Sequence, residues 1–464
     1  MSQEREKNYA TPYDLNGRVP LGQGIMFGLQ HVLAMFASNL TPLILLTALC
    51  GIEGGVKVSL LQNAMVLAGV VTLVQLYAIG PVGANLPCVM GTSSGFIGVC
   101  SSVANTMGGG VLAYGAIMGA SIAGGLFEGV LGLFLKPLRR FFPALVTGTV
   151  VMAIGLSLIG VGINSFGGGN NNGDFGSLTN LLIGLIVLVT IVLLKHFTKG
   201  ITSHAAILFG IIVGYIVCSV FALILPTTYI NADGVETASS WVLNWSKVAE
   251  ASWFSLPKPA PMLGIPIVFK AEAVVPIMIM FIVTAVETVG DLSGITEGGL
   301  GREATDKELS GGVICDGLGS SFAAIFGVLP NTSFSQNVGL VAMTKIVNRF
   351  AIALGAGFLI LCGLFPKLAA IVSIMPQCVL GGATIMMFAS IVMSGIQLIT
   401  KEPLDTRAIT IVSVALGLGY GLGANSSVLS NLPQWVSLIF GGSGIVPAAI
   451  VAIVLNIAIP KEKK

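Results

Sequence analysis

The chain alternates between long apolar runs and short polar breaks, and the runs have the length that a bilayer sets. A helix rises about 1.5 Å per residue, so about 20 apolar residues cross a hydrocarbon core of about 30 Å. Runs of this kind lie at 22–46, 58–82, 109–135, 143–163, 175–195 and 202–225. After a polar stretch at 226–264 they resume at 268–290, 308–329, 349–373, 377–398, 407–424 and 433–458. Two more segments, 86–104 and 331–348, are interrupted. The pattern predicts an all-α polytopic membrane protein of 14 transmembrane segments, the third and tenth being broken half-helices with short extended pieces.

The tenth segment departs most from the pattern. Between Asn331 and Asn337 it carries six polar side chains, Asn331, Thr332, Ser333, Ser335, Gln336 and Asn337. Pro330 lacks an N–H and biases the residue before it away from helix, so the entry should be extended. A helix can then start among the Ser, Thr and Asn residues. Non-helical backbone at membrane depth is tolerated where protein buries it or where it lines a cavity. The free N–H groups of such a half-helix, at the positive end of its dipole, would point into that cavity. The stretch Leu86-Pro87-Cys88-Val89-Met90-Gly91-Thr92-Ser93-Ser94-Gly95-Phe96 has the same order: Leu-Pro, small polar residues, then an apolar helical run. Each would be the third segment of a half with seven. Seven is odd, which predicts a 7+7 inverted repeat, and paired interrupted segments in two halves mark a transporter's central site.

Composition agrees with immersion in a membrane. Hydrophobic residues make up 54% of the 464 and charged residues 9%, against about 25% charged in a soluble domain. The 61 glycines suit close helix packing. Net charge is +2, which argues neither for nor against nucleic acid, and no nucleic-acid partner is expected. The seven cysteines have no CxxC spacing and read as buried small residues, so neither a metal site nor a cofactor is expected. Residues 1–18 contain no apolar run, so no cleavable signal peptide is expected.

Basic residues set the orientation. With the N-terminus inside, Lys136, Arg139, Arg140, Lys195, Lys199, Arg302, Lys307, Lys345, Arg349, Lys401, Arg407 and the tail Lys461, Lys463 and Lys464 all fall on the cytoplasmic side. Lys57, Lys247, Lys258 and Lys367 are the exceptions outside. The bias predicts both termini in the cytoplasm of a cell-membrane protein. Trp241, Trp245 and Trp253, in the outer loop, are of a type that gathers at the membrane interface.

Intramembrane acids are the candidate chemistry. Glu287 ends an apolar run from Val274 to Val286. A carboxylate there costs about 3 kcal/mol on insertion scales unless it is paired or faces water. Its two oxygens can accept two parallel N–H bonds from a planar heterocycle. Asp291 lies one turn on, on the same face. Two close carboxylates resist being charged together, so one of them is a candidate for the coupling proton. Asp316 could carry a proton or bond the backbone of the broken segment. Gln336 both donates and accepts, so it can read a carbonyl beside an N–H. Asn337 is read as ordering the broken helix, and His31, beside Gln30 in the first segment, as bonding across to it. His196 and His204 read as interfacial, and Glu128 in the fourth segment receives no role.

These residues also carry a family resemblance. Gln336-Asn337-Val338-Gly339 with Thr344-Lys345 resembles the signature of the nucleobase–ascorbate transporter family, [Gln/Glu/Pro]-Asn-x-Gly-x4-Thr-[Arg/Lys/Gly]. Gln30-His31 is similar to its Gln-His motif, Glu287 to the acidic position of its eighth segment, and Asp316-Gly317 to its ninth. The four motifs occur in order over nearly the whole chain. The resemblance implies a core domain, 22–135 and 265–373, and a gate domain, 136–225 and 374–458. The 226–264 loop would be extracellular and the tails 1–21 and 459–464 cytoplasmic. It implies a homodimer and proton-coupled import as well. Members with Gln at position 336 are mostly xanthine or urate transporters, those with Glu mostly uracil or ascorbate transporters, and Val338 resembles the bacterial xanthine and urate permeases. Gly95 stands where several purine members carry Asn, leaving more space. Phe96 could contact a ring by stacking and through its N–H. The implied substrate site is Glu287, Gln336, Phe96, Gly95 and Ser335, supported by Gln30, His31, Asn337 and Gly339, with Asp291, Asp316 and Glu287 in proton coupling.

The reading is therefore a secondary transporter importing an oxidised purine, xanthine or uric acid, with a proton. A uracil, other nucleobase or ascorbate permease, or an anion transporter or channel of similar architecture, is the alternative. No nucleophile cluster, metal cluster or large soluble domain suggests an enzyme, and no Walker A sequence suggests ATP as the energy source.

Overall fold

The computed structural model describes residues 9–134, 143–169, 172–230, 236–401, 403–433 and 444–460, with isolated residues between the last two ranges. Apolar runs become helices close to where hydropathy puts them. In the first half these are α1 (Leu21–Leu49), α2 (Gly54–Leu76), α3 (Phe96–Thr106), α4 (Gly110–Leu133), α5 (Ala144–Phe166), α6 (Leu178–Phe197) and α7 (Ala206–Ile224). In the second they are α8 (Ala271–Ile295), α9 (Asp306–Ile325), α10 (Ser335–Thr344), α11 (Arg349–Gly363), α12 (Pro366–Ser373), α13 (Gln377–Ile399), α14 (Thr406–Ala424) and α15 (Ile445–Ala458). Among the described residues nine helices are long and apolar enough to cross a membrane, α8 running on through a π-turn to Leu300. The molecule is a multi-pass membrane protein.

Three of the expected fourteen segments differ in detail among the described residues. The run at 349–373 is not one helix: α11 and α12 meet at 79°, where Pro366 offers no N–H to continue the ladder. At 433–458 the described helix begins only at Ile445. Asp306–Ile325 is long enough to cross but is not apolar enough to read as a span by composition, and Asp316 lies at its centre. Nor is the fold purely helical. The outer loop holds a hairpin of β2 (Thr228–Ile230) and β3 (Glu236–Ala238), and the extended pieces of the broken segments are β1 (Met90–Thr92) and β4 (Asn331–Ser333). Trp245 and Trp253 are exposed, but Trp241 is buried, edge-on to Phe221. Lys136, Arg139, Arg140 and the Lys461–Lys464 tail lie outside the described residues.

Two features position the centre of the molecule. β1 and β4 pair antiparallel with Met90 opposite Ser333, Gly91 opposite Thr332 and Thr92 opposite Asn331. Flanking bonds from Ser93 N to Pro330 O (2.8 Å) and from Phe334 N to Val89 O (3.0 Å) extend this ladder. The broken segments thus satisfy each other's backbone where no water or lipid could. The second feature is close contact of α4 with α9. A Cβ on Gly317 would lie 2.4 Å from Gly125 O, and one on Gly125 would lie 2.4 Å from Gly317 O. Only glycine at both positions allows this approach, and it sets Asp316 beside Glu128.

Candidate functional site

The strand crossing is held by polar side chains from the helices around it. Asn39 on α1 accepts from Thr92 N at 2.8 Å, and Thr72 on α2 accepts from Met90 N at 2.9 Å. Ser320 on α9 accepts from Asn331 N (2.9 Å) and donates to Asn331 O (3.0 Å). α10 starts directly after β4, so its first turn opens at the crossing. There Ser38 Oγ on α1 donates to Gln336 Oε1 at 3.2 Å. Asn337 Nδ2 donates to His31 O at 2.9 Å and lies 3.2 Å from His31 Nδ1. His31 is buried, as is Gln30 beside it.

α8 brings the acids to the same place. Asp291 Oδ2 accepts from Ser333 Oγ (2.6 Å) and Ser335 Oγ (3.1 Å), tying α8 to the start of α10. Thr288 Oγ1 donates to Asp316 Oδ2 and lies 3.5 Å from Ser333 Oγ. Asp316, Thr288, Ser333 and Asp291 therefore form one chain of polar contacts from α9 to α8. Glu287 is one turn above Asp291, half-buried, and its Oε2 is buried with no hydrogen-bond partner. Asp316 Oδ1, Asn331 Oδ1 and Nδ2 and Thr332 Oγ1 are likewise buried and unpartnered. Buried polar groups are normally satisfied, so unpaired atoms gathered in one place point to a ligand or proton site.

Glu128 on α4 belongs to this cluster, and sequence reasoning gave it no role. It is fully buried, accepts from Thr284 Oγ1 at 3.2 Å, and leaves Oε2 without a partner. The signal was present, an acid inside an apolar run, but its neighbours on α8 and α9 are distant in sequence. Ser38, Thr288 and Ser333 were missed for the same reason. Among the described residues none of Glu128, Glu287, Asp291 and Asp316 forms an ion pair. Four carboxylates without a cation need protons or a ligand's N–H groups to neutralise them.

The first broken segment contributes differently. Phe96 is fully buried with its ring 4.8 Å from that of Phe281, so its side chain packs against α8 rather than facing open space. A Cβ on Gly95 would lie 3.0 Å from Met280 Cε and 3.7 Å from Ile154 Cδ1, so Gly95 stands where α3, α8 and α5 meet. Met280 and Phe281 precede Glu287 by about two turns. Gly339, one turn beyond Gln336, is exposed with nothing within 4 Å of an added Cβ, and Met343 continues that open face of α10. Glu287, Asp291, Asp316, Ser335, Gln336, Asn337, Gln30 and His31 are thus brought together, Gly339 lies on the open approach, and Gly95 and Phe96 form a wall.

Comparison with known proteins identifies the family of the chain. A model of the Permease family, Xan_ur_permease, matches residues 22–426. The chain is 33% identical over 467 residues to the xanthine permease XanP of Escherichia coli (strain K12), covering 97% of this chain and 95% of that protein. It is 34% identical over 441 residues to the uric acid permease PucK of Bacillus subtilis (strain 168), covering 94% and 95%. Its fold is similar to that of the murine anion transporter Slc26a9 in the inward-facing state, with TM-score 0.59 at 11% identity over 98% of this chain and 69% of that one. At that identity the likeness concerns the fold alone. The chain is a permease, not an enzyme, and it belongs to the permease family of nucleobase–ascorbate transporters.

Proposed function

We propose that this permease is a secondary active importer of an oxidised purine, xanthine or uric acid, driven by proton symport. The observation that carries the reading is Glu287: a carboxylate oxygen buried at the strand crossing with no partner, one turn from the bond that fixes the start of α10. A purine edge supplies two parallel N–H donors to such a carboxylate, while the amide of Gln336 reads the carbonyl beside them. The names of XanP and PucK support the substrate class. The unpaired acids support proton coupling, because a proton taken with the substrate lowers the cost of moving the loaded site. The chain of contacts from Asp316 through Thr288 and Ser333 to Asp291 supports proton exchange between the two acids.

The architecture proposed with this function is fourteen segments in a 7+7 inverted repeat. The antiparallel pairing of β1 with β4 supports it, since a two-fold axis in the membrane plane relates equivalent strands in this way. The core domain comprises 22–135 and 265–373, and the gate comprises 136–225 and 374–458. Alternating access is movement of one against the other, in a homodimer. Residues 9–20 support cytoplasmic termini: Val347 N and Asn348 N donate to Pro12 O at 3.1 and 3.2 Å, holding this segment beside Lys345 and Arg349. Gln336, Gly339 and Met343 then open toward the cytoplasm.

The test is uptake of radiolabelled xanthine and urate by cells lacking their own purine transporters, with unlabelled uracil, guanine and hypoxanthine as competitors. Saturable uptake of either purine, collapsed by a protonophore and lost in Gln336→Glu at equal expression, is expected. Uptake blocked by uracil alone, or by no nucleobase at all in well-expressed protein, would sink the proposal.

A further inference from the structure

Among the lysines that the positive-inside pattern leaves on the outer side, the structure separates Lys57, Lys247, Lys258 and Lys367 into two kinds. Lys367 is structural: its Nζ donates to Val248 O and Ala249 O, both at 3.0 Å, and lies 5.1 Å above the Trp253 ring. Lys57, Lys247 and Lys258 instead line one cavity of about 1060 Å³. Its walls are the ends of α1, α2, α3 and α5 away from the strand crossing, together with residues of the loop around 247–258. Among the described residues none of the three ammonium groups has a hydrogen bond or an ion pair. Among the described residues that line the cavity the carboxylates are Glu53 and Glu250, both exposed, so three positive charges face two negative. Lys57 stands out. It is the fourth residue of α2, at the positive end of the helix dipole, where a cation is disfavoured, and it is half-buried in the cavity wall.

We propose that this cavity is an anion-gathering antechamber on the outer face, taking the monoanionic form of an oxidised purine and passing it inward along α3. The inference rests on the import reading above. It answers a difficulty in that reading: the central site holds four acids and no cation, so nothing there draws an anion in from solution. Charges of one sign in a cleft with low-dielectric walls raise local counter-ion concentration and association rate. Urate, a monoanion near neutral pH, gains from such a field, and xanthine in mildly acid medium, being mostly neutral, does not.

Two measurements test this separately. Asn105 lines the cavity and is exposed, while the seven native cysteines are buried, so Asn105→Cys supplies one reactive thiol. Membrane-impermeant anionic and cationic methanethiosulfonates are applied outside intact cells, and their rates are normalised to a small free thiol. The anionic preference should fall roughly tenfold when K57Q, K247Q and K258Q are added, and more at low ionic strength. A thiol unreactive from outside, or a preference unchanged by the three substitutions, overturns the proposal. In uptake at low ionic strength, kcat/KM for urate should fall roughly tenfold in the triple variant while that for xanthine at mildly acid pH changes little. Equal losses for both purines would mean that the lysines only shape the protein. If the wild type moves no purine, the import reading fails, and the thiol measurement still decides the charge of the cavity. K247Q/K258Q, which alters only exposed side chains, serves where the triple variant does not fold.

Discussion

The two broken segments share an order of residues and a strand pairing, yet they do opposite work. In Leu86–Phe96 the strand leads into a helix whose first residue, Phe96, is sealed against Phe281, and the small residue before it touches Met280. In Leu329–Asn337 the strand leads into Ser335, Gln336 and Asn337, each bonded to another helix through a polar atom. One crossing is a wall with a fixed shape and the other presents donors and acceptors. The backbone problem, extended chain at membrane depth, is solved once by mutual pairing. That leaves the side chains of one arm free to bond polar groups of neighbouring helices and those of the other free to pack.

The sharpest way to break this comparison is to exchange an effect between the arms. Glu287→Gln, opposite the reading arm, should weaken purine binding by about 1.5–3 kcal/mol, roughly 10- to 150-fold, since hydrogen bonds to a charged group are lost. The melting temperature of the purified protein should hold, because Glu287 Oε2 has no internal partner to lose. Phe96→Leu should do the reverse, costing about 1–2 kcal/mol of stability through lost aromatic packing, with little change in affinity. Equilibrium binding and thermal melting of both variants, side by side, decide it. An affinity loss in Phe96→Leu as large as that in Glu287→Gln would show that both arms read the ligand.

Next in size is damage to the pairing that both arms share. A Cβ on Gly91 would stand 2.7 Å from Asn39 Oδ1, from Met35 Cε and from a Phe334 ring carbon, so Gly91→Ala has no free direction to relax. Overpacking of this kind costs about 1–3 kcal/mol. The variant should melt lower and lose binding on both arms. A smaller effect is expected from Thr288→Val, which cuts the contacts between Asp316 and Asp291 without touching Glu287 or Gln336. Proton-driven accumulation should fall severalfold while exchange of labelled for unlabelled purine across the membrane persists. Equal loss of both would place Thr288 in substrate binding instead.

Much of this division was visible in the chain, and the part that was not has a common cause. The apolar runs, the two Leu-Pro interruptions and the isolated acid at Glu287 are local patterns, and the helices follow them within a few residues. What hydropathy could not provide was contact between distant segments. Glu128 acquires its setting only because Gly125 and Gly317 let α4 and α9 touch. The antiparallel register of Met90 with Ser333 is a tertiary choice that neither Leu-Pro turn specifies alone. Phe96, an aromatic beside a polar break, suits stacking on a ligand as well as it suits packing, and its contact with Phe281 is a tertiary one that the local pattern does not carry. The break before Pro366 was legible as a proline but was overridden by the apolar count on either side.

The smallest effect expected is also the one that asks whether the wall has a recognition role of its own. Gly95→Ala adds a single methyl at the junction of α3, α5 and α8, meeting Met280 Cε at 3.0 Å, Ser93 Oγ at 3.4 Å and Ile154 Cδ1 at 3.7 Å. The nearest contact is the far end of a flexible thioether, which can move aside, so the stability cost should stay below about 1 kcal/mol. At Gly91 the neighbours include the Asn39 oxygen that holds Thr92 N, so the same methyl there cannot be absorbed. Since Ile154 belongs to α5, the methyl at Gly95 narrows the space between the parts proposed as core and gate. The bulkier urate should then lose affinity by a few-fold relative to xanthine, read as a ratio of inhibition constants in one competition assay. An unchanged ratio would mean that the wall is out of the ligand's reach, leaving selectivity to Glu287 and Gln336 alone.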